Sequence, residues 1–114
     1  MSERIQASVN RARAMRQARE KKALAHWAKV GALIYFVQAG EYLKVGISTR
    51  DALKGRMNSF QVSNPHPIRL LKVLHTRNPR QDERLFHELL KDYHIKGEWF
   101  LVVNRAIREF LGMN

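Results

Sequence analysis

Leu33-Ile34-Tyr35-Phe36-Val37-Gln38-Ala39-Gly40-Glu41-Tyr42-Leu43-Lys44-Val45-Gly46-Ile47-Ser48 decides the fold of this chain. Two apolar runs flank a short polar stretch with a glycine, which reads as a β-hairpin. A turn at Ala39-Gly40 would pair Gln38 with Glu41, Val37 with Tyr42, Phe36 with Leu43 and Tyr35 with Lys44. Strand side chains alternate between faces, so Ile34, Phe36, Leu43, Val45 and Ile47 form one apolar face. Leu33, Tyr35, Val37, Tyr42, Lys44, Gly46 and Ser48 share the other. In that register a phenol faces an ammonium, on a strand face that in most hairpins is merely solvated.

Outward from the hairpin the pattern is that of a compact α+β domain. Thr49 and Asp51 offer caps for a helix reaching about Phe60, with Leu53, Met57 and Phe60 at the spacing of a buried stripe. Asn64-Pro65-His66-Pro67 breaks that helix and leads into a third strand, Ile68–His75. Arg77-Asn78-Pro79 then opens a longer helix running to about His94. Its core face is expected at Leu85, Phe86, Leu89, Leu90 and Tyr93, with Glu83 and His87 four apart on the flank. Gly97 ends it, residues 98 to 102 form a short strand or extended segment, and residues 104 to 112 form a closing helix with Ala106, Ile107, Phe110 and Leu111 apolar. The expected architecture is a three-stranded antiparallel sheet flanked by helices, occupying residues 31–114.

Residues 1–30 differ in kind. Eight basic residues (Arg4, Arg11, Arg13, Arg16, Arg19, Lys21, Lys22 and Lys29) stand against Glu3 and Glu20, so this segment carries +6 of the net +11. It has no Gly or Pro and offers Ser2 as an N-cap, so an appended basic helix is expected. Its apolar residues (Ile5, Val9, Met15, Leu24, Trp27, Val30) are too sparse for strong packing. A phosphate-tracking arm is one reading of it; a solvated helix, or a helix that pairs two copies as a homodimer, is the other.

At 114 residues the chain has room for one domain and an appended element. The absence of cysteine excludes disulfides, thiolate metal sites and a cysteine nucleophile. No apolar run has the length of a membrane span or of a signal peptide, so a cytoplasmic protein without a membrane partner is expected. Lys and Arg outnumber Asp and Glu by 21 to 10. Such an excess fits a polyanionic partner, most commonly nucleic acid, although a ribosome-associated protein or a membrane-surface binder shares that composition.

The order and spacing of Tyr35, Lys44, Arg56 and Glu83 resemble the GIY-YIG nuclease superfamily. Leu33-Ile34-Tyr35 is similar to its first signature, with Leu33 where the family has glycine. Lys44-Val45-Gly46 is similar to its second, with Lys44 in place of the second tyrosine. The helical arginine of the family falls on Arg56 and its metal-binding glutamate on Glu83. A phage and bacterial branch, the meiotically up-regulated gene 113 type, is closer still. Lys44-Val45-Gly46-Ile47-Ser48, Asn64-Pro65-His66-Pro67, Glu83 to His87 and Gly97-Glu98-Trp99-Phe100 all look like that branch. The resemblance spans roughly residues 32 to 102.

What the resemblance implies is a DNA endonuclease using one Mg²⁺ or Mn²⁺ ion, in a bacterial or phage-infected cell. RNA as substrate is left open. Tyr35 would be the general base and Glu83 the metal ligand, with Arg56 clamping a phosphoryl oxygen. Tyrosine is a poor base at neutral pH, and an ammonium close by would favour its phenolate, which gives Lys44 an activating role. His87 could contact phosphate, serve the leaving group or simply hold Glu83. Ser48 and Arg50, with Arg11, Arg13, Arg16, Arg19, Lys21 and Lys22, are candidate nucleic-acid contacts. Glu98, Trp99 and Phe100 are expected mainly to close the fold. Two other classes remain beside the nuclease: a non-catalytic nucleic-acid-binding module of the same fold, and a self-associating interaction protein.

Overall fold

The computed structural model describes residues 2–113, apart from the side chain of Ala28. The hairpin forms between β1 (Ala32–Ala39) and β2 (Tyr42–Thr49). Its two faces are those read from the sequence, but its register is shifted by two residues. Tyr35 lies opposite Gly46, Phe36 opposite Val45, Val37 opposite Lys44 and Ala39 opposite Tyr42. The expected pairing of Tyr35 with Lys44 is therefore corrected. The turn residues are Gly40 and Glu41, with Gly40 at φ 62°. A primed hairpin turn needs positive φ at its first central position, and glycine takes that conformation where alanine resists it. A turn at Ala39-Gly40 would have placed Ala39 there.

The sheet has five strands, not three, in the order β3-β1-β2-β5-β4, where β3 is Ile68–His75, β4 His94–Lys96 and β5 Trp99–Phe100. Every pairing is antiparallel. β1 is buried along its whole length because both faces are covered. On one side Leu33, Tyr35 and Val37 pack against Leu53, Met57 and Phe60 of α2 (Leu53–Val62), as the stripe in that helix required. On the other, Ile34, Phe36, Leu43, Val45 and Phe100 meet Phe86 and Leu90 from α3 (Pro79–Leu89) and its end, and Ile107 and Leu111 of α4 (Arg105–Leu111). Fully burying each such large apolar side chain contributes roughly 1.5–3 kcal/mol.

α3 differs from expectation in length and in face. It stops at Leu89 and passes through a 3-10 turn, Lys91–Tyr93, into β4, where a helix to His94 was expected. Leu85 and Leu89 are 55% and 64% exposed. The stripe turned inward is Glu83, Phe86, His87 and Leu90, at positions 0, 3, 4 and 7. Two ionisable residues thus occupy half of a face that the leucines were expected to hold. The helix starts firmly: the Asn78 side chain accepts from the Gln81 amide at 3.3 Å, and Pro79 fills a first-turn position.

α1 (Glu3–Val30) is a continuous helix of 28 residues, capped by Ser2 and ended by Gly31 in the left-handed conformation. It is exposed almost throughout and first becomes half-buried at Ala23 and Trp27. At 1.5 Å rise per residue it is about 42 Å long, and with it the molecule measures 58 × 31 × 25 Å. Among the described residues, no helix is long and apolar enough to cross a membrane.

Candidate functional site

Tyr35 points from the middle of β1 across Gly46. A Cβ on that glycine would lie 2.4 Å from the phenol oxygen and 2.5 Å from Cζ, so the missing side chain is the space the ring occupies. The tilted Phe60 ring, 5.9 Å away between centroids, closes the other side. Tyr35 is consequently only 1% exposed. Arg56, one turn into α2 and exposed, lies near enough to the phenol for its guanidinium to act on the phenol's charge. Burial pushes the Tyr35 pKa up and the Glu98 carboxylate adds to the rise; Arg56 opposes both by its positive charge, and Glu83 reinforces them. The phenol is accordingly neutral near pH 7.

Lys44, two residues along the same face, sits diagonally from Tyr35 and opposite Trp99 of β5. Its ammonium lies between the rings of Phe60, at 4.4 Å, and Trp99, at 5.3 Å, and pairs with Glu98 at 3.6 Å. The cation is held by aromatic faces and a carboxylate. Lys44 thus stands opposite Val37 and not Tyr35, with its ammonium engaged by Glu98 and the two rings.

Glu83 reaches the same region from α3. Its carboxyl is half-buried and makes no hydrogen bond or ion pair with another described residue. Its pKa is raised by burial first and by the Glu98 charge second, with His87 pulling the other way. Glu98 therefore couples to Tyr35, Glu83 and Lys44 together. The sequence reading gave it an architectural part, although the run Gly97-Glu98-Trp99 held the signal: the sharp turn at Gly97 returns Glu98 beside β2, whose Val45 amide donates to the Glu98 carbonyl at 3.3 Å.

His87 occupies the next place along that edge. Its Nε2 lies 3.1 Å from the Val45 carbonyl oxygen, and its ring meets Phe100 edge-on at 5.1 Å. A carbonyl only accepts, so Nε2 carries the proton in this contact. Where β5 ends, an imidazole continues the ladder of β2.

The remaining candidates scatter. Ser48 is 2% exposed and its hydroxyl donates to the Thr49 carbonyl, which corrects its reading as a nucleic-acid contact. Arg50 is exposed and lies across Gly31 at the end of α1. Arg11, Arg13, Lys21 and Lys22 are exposed along α1, and Arg16 and Arg19 turn towards α3.

Together, the described residues make a small α+β domain with a cluster of one phenol, two carboxylates and an ammonium, each at least half-buried, and the exposed guanidinium of Arg56. The chain belongs to the T5orf172 domain family, which it matches over residues 32–113, a family associated with nuclease-like proteins of the GIY-YIG and HNH group. The match covers the sheet and α2 to α4 and leaves α1 outside. No curated protein and no solved structure matches the chain.

Proposed function

We propose that this protein is a divalent-cation-dependent DNA endonuclease of GIY-YIG type. The observation that carries the reading is electrostatic convergence: Tyr35, Arg56, Glu83 and Glu98, from three helices or strands and a turn, each act on the charge of another. Arg56 offers a planar fork to a phosphoryl oxygen, and its present partner, a neutral phenol, is readily exchanged for an anion. Glu83 presents hard carboxylate oxygens that no other described residue binds, and its pKa is raised, which suits it to a hard cation. Among the described residues no three His, Asp or Glu side chains gather as a metal cage, so water and phosphate oxygens would complete the shell.

Such an ion would stabilise phosphoryl charge and, at Glu83, offset one of the carboxylates that keep Tyr35 protonated. Tyr35 would first release its own proton to solvent and then, as the phenolate, take the proton of the attacking water, while Arg56 would hold the phosphoryl group in line. Lys44 sets the position of Glu98, and His87 ties α3 to β2 so that Glu83 stays near Tyr35 and Glu98.

Purified protein incubated with supercoiled plasmid and Mg²⁺ should nick or cleave it, and Glu83→Gln and Arg56→Ala should each abolish the activity while leaving DNA binding. Tight binding by the wild type with no cleavage in Mg²⁺ or Mn²⁺ would replace this reading with the non-catalytic module. The near-complete burial of Tyr35 is the observation that favours that second reading.

A further inference from the structure

On the far side of α3 from the sheet, a cleft of about 460 Å³ separates its first turns from α1. Arg16, Arg19, Glu20 and Trp27 line it from α1, and Arg80 and Arg84 from α3. The α1 residues recur at three- and four-residue spacing, so they form one face of that helix. None of the four arginines makes an ion pair or a side-chain hydrogen bond with a described residue. The other nearby acid, Asp82, already accepts from Thr76 as part of the cap.

We infer that this cleft grips the phosphodiester backbone of the nucleic acid, at a site separate from the Tyr35–Glu83 cluster. The inference rests on the nucleic-acid reading above. Four guanidinium groups facing one concavity repel one another, and a single carboxylate offsets only part of that charge, so the cleft selects an anion with several oxygens. The N-terminus of α3 adds its positive dipole end to the same wall. Trp27 supplies an apolar aromatic surface against which a backbone sugar packs, which a free phosphate would not use.

The placement matters for the site. Glu83 and Arg84 are neighbours on α3, one turned to the sheet and the other to α1. A strand held by Arg80 and Arg84 is therefore led along the helix that carries Glu83. It also divides the basic residues of α1: Arg16 and Arg19 contact phosphate, whereas Arg11 and Lys22, on the opposite side of the helix by their spacing, do not.

The test is binding of a labelled duplex by the full-length Glu83→Gln chain, followed by fluorescence anisotropy across a salt series. Arg80→Gln/Arg84→Gln and Arg16→Gln/Arg19→Gln should each weaken binding about tenfold and flatten the logarithmic salt slope by about 2, near 0.9 per lost phosphate contact. Arg11→Gln/Lys22→Gln removes the same charge and should change affinity by less than about threefold. Circular dichroism confirms that each variant is folded. Equal losses for all three pairs, or no loss for the cleft pairs, would overturn the cleft. A chain that binds through the cleft but whose wild-type form never cuts plasmid leaves the cleft standing and removes only the nuclease. A chain that cuts while ignoring the four arginines does the reverse.

Discussion

Gly46 shows how a single atom position sets the site. Its missing Cβ is the room for Tyr35, so Gly46→Ala forces the ring off its rotamer or the strands apart. The expected cost is about 1–3 kcal/mol in urea unfolding, and Tyr35→Leu in the same chain should recover most of it because the ring is gone. Recovery of none would mean that the glycine serves the backbone instead. Ionisation gives two further readouts. Burial and the Glu98 carboxylate hold the Tyr35 phenol protonated past its usual value of 10.0. Tyr35→Phe should therefore remove an ultraviolet titration step that comes above pH 10. Native Glu83 also holds its proton more tightly than the unfolded chain does, so the wild type loses stability as pH rises from its ordinary value of 4.5 through the raised native value. Glu83→Gln should match the wild type in Tm below that window and exceed it at pH 7. Mg²⁺ should raise the Tm of the wild type only.

Among the elements, the hairpin and α3 divide what sequence shows from what it hides. Both hairpin faces were legible because alternation depends only on parity, and a slip of two residues preserves it. Register depends on the turn, and there the demand for positive φ at Gly40 outweighed the tighter reading that put Tyr35 beside Lys44. In α3, Leu85 and Leu89 suggested the wrong inward face. The edge of β2 offers a carbonyl at Val45, and pairing it with His87 rotates the helix so that Glu83 enters the site and both leucines leave the core. β5 lies in the short extended run read at residues 98–102, but its place in the sheet and the whole of β4 were not legible, because strands of two and three residues are too short for any period to appear. Glu98 was undervalued for the same reason. Asn78→Ala should lower stability by about 1 kcal/mol through loss of the α3 cap, and it should reduce cleavage further than that loss explains, since α3 carries Glu83. Unchanged cleavage at a temperature well below Tm would count against α3 as the positioning element.

Across the whole molecule, the folded body and α1 are energetically distinct. α1 buries little before Ala23, so deleting residues 2–20 should shift the Tm of the body by less than about 2 °C, whereas duplex affinity should fall and become less salt-sensitive. A large drop in Tm would show α1 to be part of the core. At this scale the His87 contact acquires another consequence. β5 covers β2 at Leu43 and Lys44, the Glu98 carbonyl takes the Val45 amide, and the strand runs on to Thr49 with His87 of α3 against the Val45 carbonyl. An uncovered strand edge is a template on which another chain can add itself. His87, by occupying the Val45 carbonyl, works as a stopper against that growth. His87→Ala should therefore destabilise the fold by about 1–3 kcal/mol, and light scattering should then show particles that enlarge with protein concentration while the wild type stays constant in size.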